Sequence, residues 1–464
     1  MIHMEVTMEN LFLGVSKYLF IILIAFFGLF SFIILADKNG QKQHKAALAI
    51  QSLMIYVFHL IAYINIYINT KNNTIIIFYG AQLIFLIIFR GMYGVFYENE
   101  YNKGLLNNVC MFLCISFMML TRLYYSMAIK QFLIVCFAAI LSLIIPVIVK
   151  KYKNMANLTY IYCFAGIVFL AVVLIIGQMS GGAKLSVKIA GFSFQPSEFV
   201  KILYVLFIAA LLNKSTKFIN VLVSAIFAGL HVIILVLSTD LGSALIFFIV
   251  YVVLVFVATG KIRYLLAGVA GGVIASIISY KLFYHIRTRV AAFLNPWSFI
   301  DSGGYQVAQS LFAIGTGGFL GLGLYKGLPK AVPLVEQDFM FSAISEELGG
   351  FFGICLIILY MSCFVCLIKI SMKQKVLFYK LTGLGLSITY AVQTILTIGG
   401  AIKFIPSTGV TLPLISYGGS SVLCTMIIFA IFQGSDIRER NESSALKNNS
   451  TDIRKEKNVK KRKR

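Results

Sequence analysis

Thirteen apolar stretches divide this chain, most of them matching the roughly 20 residues that a helix needs to cross a bilayer. They are 16–36, 46–68, 75–97, 105–121, 131–149, 159–178, 199–212, 218–238, 241–259, 264–284, 341–368, 381–400 and 409–433. A chain patterned this way has lipid, not water, as its main solvent. Of its 464 residues, 12% are charged and 59% hydrophobic, where a soluble chain carries roughly a quarter charged. Backbone groups in lipid must be satisfied internally, so the predicted fold is an all-α polytopic membrane protein. The run at 199–212 is short for a span and is expected to be tilted, extended or partly re-entrant. The first run, 16–36, is too long for the apolar part of a cleavable signal and lacks a small-residue cleavage site.

The net charge of +23 does not point to nucleic acid. The cations fall in short clusters between apolar runs and in one basic tail, and no basic folded surface is visible. They report orientation instead. With the tail inside the cell, the inside loops hold fifteen basic residues, among them Lys45, Lys103, Lys214, Lys369 and Lys373. The short outside loops hold six: Lys71, Arg122, Lys130, Lys184, Lys188 and Lys403. The predicted orientation is N-terminus outside and C-terminus cytoplasmic.

Eight cysteines lie within apolar runs. Cys363 and Cys366 make a Cys-x-x-Cys, but without His or acidic neighbours they read as small apolar helix residues, not as a zinc or redox site.

Two segments break the pattern of helix and short loop. Residues 285–340 are rich in Gly and hold three of the seven prolines; a connection this long is usually functional or disordered. Within it, Tyr305, Val307, Ala308, Leu311 and Phe312 predict a short amphipathic helix. The tail from about Gly434 is rich in Lys, Arg, Asn and Ser. It reads as disordered and held near anionic lipid.

Ionisable residues near spans are costly, so each is a candidate site. On the side predicted to face outward lie Glu198, Lys201, Asp240, Arg287, Arg289, Lys326, Glu336, Asp338, Glu346 and Glu347. Any one alone is more often a solvated or paired surface residue. The constellation says more. Asp338 stands at the mouth of an apolar helix, where its pKa can be raised so that it acts as a base. Nearby cations could hold an anionic leaving group. A cleft with a carboxylate, cations and lipid-facing walls suits a substrate with a pyrophosphate and a polyprenyl chain.

These residues resemble the SEDS family (shape, elongation, division and sporulation; the RodA, FtsW and SpoVE type). The matching stretches are 191–201 (GFSFQPSEFVK), 239–245 (TDLGSAL), 287–296 (RTRVAAFLNP), 304–318, 321–327 (GLGLYKG), 337–349 (QDFMFSAISEELG) and 406–421 (PSTGVTLPLISYGGSS). All seven occur in family order.

The resemblance implies a ten-helix SEDS-type bundle over about residues 105–436, with its large extracellular loop at 285–340. About three extra transmembrane helices precede it in residues 1–104, read as a docking or stabilising element, and a basic cytoplasmic tail follows at 437–464. It implies a peptidoglycan glycosyltransferase of the bacterial cytoplasmic membrane that polymerises lipid II into glycan strands. A class B penicillin-binding protein is the expected partner, beside lipid II, the growing strand and anionic lipid at the tail. Asp338 matches the family's catalytic aspartate. Lys201 and Asp240 match a cation and carboxylate thought to pair. Arg287, Arg289, Gln309, Lys326, Glu346, Glu347, Ser416 and Ser420 match other polar positions taken to bind substrate. Whether a divalent cation, Mg or Mn, joins them is open, and no organic cofactor is expected. One departure stands out: the family's Gly-Ala-Lys-Arg-Trp is here Gly182-Ala183-Lys184-Leu185-Ser186.

The leading reading is an inverting enzyme in which Asp338 deprotonates the acceptor sugar. A lipid II flippase and a non-catalytic scaffold for a synthase partner are the alternatives. The transporter reading lacks an obvious internal repeat.

Overall fold

The computed structural model describes residues 2–36, 42–98, 100–152, 154–180, 183–189, 192–301 and 303–462. In chain order the long helices begin with α1 (Ile2–Ala36), α2 (Lys42–Thr70), α3 (Thr74–Tyr97), α4 (Lys103–Leu123), α5 (Tyr125–Lys151) and α6 (Thr159–Ile176). A three-stranded antiparallel sheet follows, of β1 (Gln178–Ser180), β2 (Ala183–Ile189) and β3 (Phe192–Phe194). Then come α7 (Pro196–Lys214), α8 (Phe218–Leu237), α9 (Leu241–Thr259), α10 (Ile262–Leu282) and α11 (Tyr284–Leu294). The chain ends with α12 (Tyr305–Gly317), α13 (Met340–Leu348), α14 (Gly350–Lys373), α15 (Leu377–Ala401) and α16 (Gly419–Arg462). Among the described residues, thirteen helices are long and apolar enough to span a membrane. The protein is an all-α polytopic membrane protein with one small sheet.

Burial sorts the helices into layers. α4 is buried along nearly its whole length, from Leu105 to Leu123. α7 and α15 are also mostly buried, whereas α10 has no buried residue and faces outward. Lipid supplies no hydrophobic drive between helices, so close packing and interhelical hydrogen bonds hold the centre. Phe112 of α4 stacks on Tyr360 of α14 with ring centroids 4.4 Å apart.

The first three helices join this bundle through buried polar contacts. Gln51 of α2 donates to Ser31 of α1 at 2.8 Å, and Ser31 donates to Asn108 of α4 at 3.1 Å. Asn107 of α4 donates to Gln51 at 3.2 Å. Tyr63 of α2 meets Thr121 of α4 at 3.0 Å, and His59 meets Gln82 of α3 at 2.9 Å.

The structure corrects the sequence reading in four places. The apolar run at 341–368 is two helices, because Gly349 takes φ +94° and turns the chain between α13 and α14. A Cβ there would lie 2.5 Å from backbone atoms of Gly321 and Phe319, so no other residue fits. The run at 409–433 starts its helix at Gly419, since Pro406 and Pro413 lie in the preceding segment and cannot donate to a helical ladder. The short run at 199–212 takes one of its expected forms: it is extended to the full helix α7, with Pro196 in its first turn. The sheet was not expected; its signals are the alternation from Ala183 to Ile189 and the preceding Gly181-Gly182. Finally, α16 continues through the basic tail to Arg462, where irregular chain was expected. A helix already nucleated in the bundle extends at one hydrogen bond per residue, and Arg440 pairs with Asp436, and Arg438 with Glu442, four residues apart.

The amphipathic helix expected near Tyr305 is α12. Gly182 and the side chains of Ala183, Lys184 and Leu185 lie outside the described residues.

Candidate active site

Asp338 ends a turn that leads into α13. Its backbone N–H donates to Leu334 O at 3.1 Å, and the adjoining Phe339 and Met340 are buried. The next segment of the site is the loop between α15 and α16. It is stitched to the Asp338 turn at two neighbouring carbonyls. Tyr417 N–H donates to Glu336 O at 2.7 Å, and the Ser416 hydroxyl donates to Gln337 O. Ser416 also accepts from Leu412 N–H at 3.1 Å, which closes the loop on itself.

The same loop brings Gly409 under Asp338. Gly409 has φ +73°. An atom placed where its side chain would begin lies 3.7 Å from Asp338 Oδ2 and 3.6 Å from Arg289 Nη2. Arg289 reaches this point from α11 and is held by donating Nη1–H to Ser407 O at 3.2 Å. A carboxylate and a guanidinium therefore line one gap with a bare backbone floor. Burial pushes the Asp338 carboxyl up to about 6; Arg289 opposes the rise and Glu336 adds to it.

Lys201 and Asp240 were expected to pair, and they do not. Lys201 Nζ lies 2.8 Å from Glu198 Oε1, one helical turn back on α7, and donates to Gln393 Oε1 at 2.8 Å. The i,i+3 spacing makes Glu198 the nearer partner. Asp240 caps α9 by accepting from Ser243 N–H at 3.1 Å and takes the Ser197 hydroxyl at 2.9 Å. Both groups still serve one loop. Gln393 donates to Thr411 O at 3.1 Å, and Gly242, two residues after Asp240, packs against Thr408 and Val410. They brace the segment that carries Gly409.

Glu346 and Glu347 are also braces. Glu347 accepts from Arg122 Nε–H at 3.0 Å and from Tyr325 N–H at 3.1 Å. Glu346 accepts from Leu328 N–H at 2.9 Å. Arg122 lies over the Tyr325 ring at 4.2 Å and donates to Gly327 O at 3.2 Å. Together they tie the 321–328 loop to α13 and α4. Burial raises the pKa of Glu346, and that of Glu347 to about 7. Each keeps its Oε2 without a hydrogen-bond partner among the described residues. Lys17 of α1 donates to Gly321 O at 3.3 Å, so the first helix reaches the same loop. Sequence reasoning missed Arg122 as a site brace; the signal was a lone Arg ending a helix that is otherwise uncharged after Lys103.

The remaining candidates divide. Gln309 on α12 is half-buried and Ser420 is buried, with its hydroxyl accepting from Gln195 N–H at 2.9 Å. Arg287 is exposed and stands over the Tyr284 ring at 5.8 Å. Lys326 is exposed. Among the described residues no group of three His, Cys, Asp or Glu side chains is placed to hold a metal.

The profile of the cell cycle proteins FtsW, RodA and SpoVE matches residues 103–441. The chain belongs to this family. It is 33% identical over 331 residues to the peptidoglycan glycosyltransferase RodA of Mycobacterium leprae, covering 66% of this chain and 70% of that one. The stage V sporulation protein E of Bacillus subtilis is 31% identical, covering 60% and 78%. A solved chain described under structural coordination of polymerization and crosslinking by a peptidoglycan synthase complex is 25% identical with TM-score 0.63, covering 74% of this chain and 98% of its own. The crystal structure of the Thermus thermophilus rod shape determining protein RodA shares the fold at TM-score 0.55 and 24% identity, over 72% and 96%. The family match begins at the start of α4, and α1, α2 and α3 precede it.

Proposed function

We propose that the gap between Asp338 and Arg289 is where this family member joins sugars. The chain is a peptidoglycan glycosyltransferase, a hexosyltransferase of the membrane. The observation that carries the site assignment is the gap itself: a carboxyl with its pKa raised toward neutrality, a guanidinium facing the same point, and glycine as the floor. A base works best when its pKa lies near the working pH.

In this reading the acceptor's 4-hydroxyl enters the gap and gives its proton to Asp338 as its oxygen attacks the donor's anomeric carbon. The C–O bond to the polyprenyl pyrophosphate breaks with inversion, and the leaving group takes the electron pair. Arg289 orients the reactants and offers N–H donors to developing negative charge. Much of the rate comes from holding two lipid-borne sugars in one plane. Lys201, Glu198, Asp240, Glu346, Glu347 and Arg122 act by positioning the two loops that form the gap.

The donor and acceptor are lipid II and the growing glycan strand. A class B penicillin-binding protein is the partner, supported by the solved synthase complex. The site faces outward in the positive-inside orientation. The deciding experiment is glycan polymerisation from lipid II by the purified protein, alone and with its partner. Polymer in either case supports the reading. Transbilayer movement of lipid II with no polymer in both cases overturns it in favour of a flippase.

A further inference from the structure

The end of the bundle opposite Asp338 holds a second charged feature. There α1 ends, α2 and α4 begin, and α14 and the membrane part of α16 end. A cavity of about 420 Å³ opens between them. Lys45, Lys103, Lys369, Lys373 and Arg440 line it, with no carboxylate among the described lining residues. An adjoining cavity of about 580 Å³ shares Lys45 and Lys103 and adds Arg90.

Some of these charges have protein partners. Arg440 pairs with Asp436 at 2.7 Å, and Lys369 donates to Leu35 O. Arg90 donates to Ser52. Lys45 and Lys103 have no carboxylate partner among the described residues, and Lys373 lies close enough to Asp436 for the two charges to interact without forming an ion pair. Like charges around one cavity repel, and an anion there relieves the repulsion. The floor is apolar, with Ile34, Leu35, Leu48 and Ile370. Beside it, Phe32, Ile33, Ile50 and Leu53 are exposed on α1 and α2 where lipid would lie. A cationic rim at the helix ends over an apolar wall matches an amphiphile better than a soluble anion.

We propose that this cavity binds the phosphate headgroup of an anionic phospholipid, at the level where transmembrane helices leave the bilayer. Basic pockets between helix ends are suited to such headgroups. The site lies between the first two helices and the family bundle, so a bound lipid bridges them. It is distinct from the polymerising gap and takes from the basic tail only Arg440, near its start.

The test is lipid retention and thermal melting of the full chain in nanodiscs of phosphatidylcholine with or without phosphatidylglycerol. Phosphatidylglycerol should be retained and should raise the melting temperature. The double variant Lys103→Gln/Lys373→Gln should lose affinity by on the order of 30-fold, at about a factor of five per cation. Lys103→Arg/Lys373→Arg should keep it. Lys214→Gln/Lys261→Gln, at the same end but outside the cavity, should behave as wild type. Single Lys45→Gln and Lys373→Gln, both at exposed side chains, should each lose about fivefold and carry the test if the double variant fails to fold. Equal phosphatidylglycerol dependence in wild type and cavity variants overturns the proposal. So does a shift of the same size from inorganic phosphate, which would assign a soluble anion instead.

Discussion

Asp338 and Arg289 approach one point above Gly409, Oδ2 to 3.7 Å and Nη2 to 3.6 Å. They come from segments almost fifty residues apart in the chain and meet over a third. The cation keeps the pKa of the buried carboxyl from rising further, and the guanidinium is itself anchored on Ser407 O.

Asp338→Asn keeps size and polarity but removes the proton acceptor. The variant is expected to insert and to bind its partner, with polymerisation down by on the order of 100- to 10,000-fold. Single-turnover assays on the purified variant measure this. Near-normal polymer would remove Asp338 from the role of base.

The pH profile reads the same group. Polymerisation should rise with pH as Asp338 ionises, with its acid limb near its pKa of about 6. Arg289 lowers that pKa and Glu336 raises it. Arg289→Gln should therefore move the limb to higher pH, and Glu336→Gln to lower pH. An unmoved limb in both variants would mean that another group sets it.

Lys201 should couple to Glu198 and not to Asp240. Removing one member of the buried Lys201–Glu198 pair strands the other, at roughly 3–5 kcal/mol. In thermal melts, Lys201→Ala and Glu198→Ala should be non-additive, and Lys201→Ala and Asp240→Ala close to additive. Strong coupling in the second cycle would restore the pair expected from sequence.

Glu347 makes stability depend on pH in an unusual direction. Its folded pKa is raised from 4.5 to about 7, so the folded chain holds this proton more tightly than the unfolded one. Its contribution is fully present below about pH 4.5 and is lost as pH rises through about 7. Glu347→Gln should flatten that part of the melting-temperature profile. Arg122→Gln should steepen it, because the charge that favours the ionised form is gone.

Orientation is open to a labelling test. A cysteine at Gly303, which is exposed between α11 and α12, should react with an impermeant reagent from outside intact cells. One at the exposed Lys375, between α14 and α15, should not. Seven of the eight native cysteines are buried, so background is low. The reverse pattern would invert the bundle and move Asp338 to the cytoplasm.

The chain's apolar periodicity by itself determined that this is a helical membrane protein, and it placed most of the thirteen spans to within a few residues; the first and fifth helices begin earlier than expected, at Ile2 and Tyr125, and other ends shift near glycine and proline. The reason is local: a helix in lipid satisfies its own backbone, so its existence depends on about 20 neighbouring residues and little else. Asp338 was legible too, as a carboxylate at a helix mouth within a matching motif. Its partners were not. Glu198, one turn before Lys201, was a partner the local spacing offered; whether Glu347 finds Arg122 and whether Arg289 arrives over Gly409 depend on how distant helices are rotated and where loops return. Those choices are made by packing between segments up to a few hundred residues apart, and no local pattern in the sequence encodes them. The break at Gly349 lies between the two cases. The glycine is visible in the sequence, but the backbone of Gly321 and Phe319 that forces its conformation is supplied only by the folded chain.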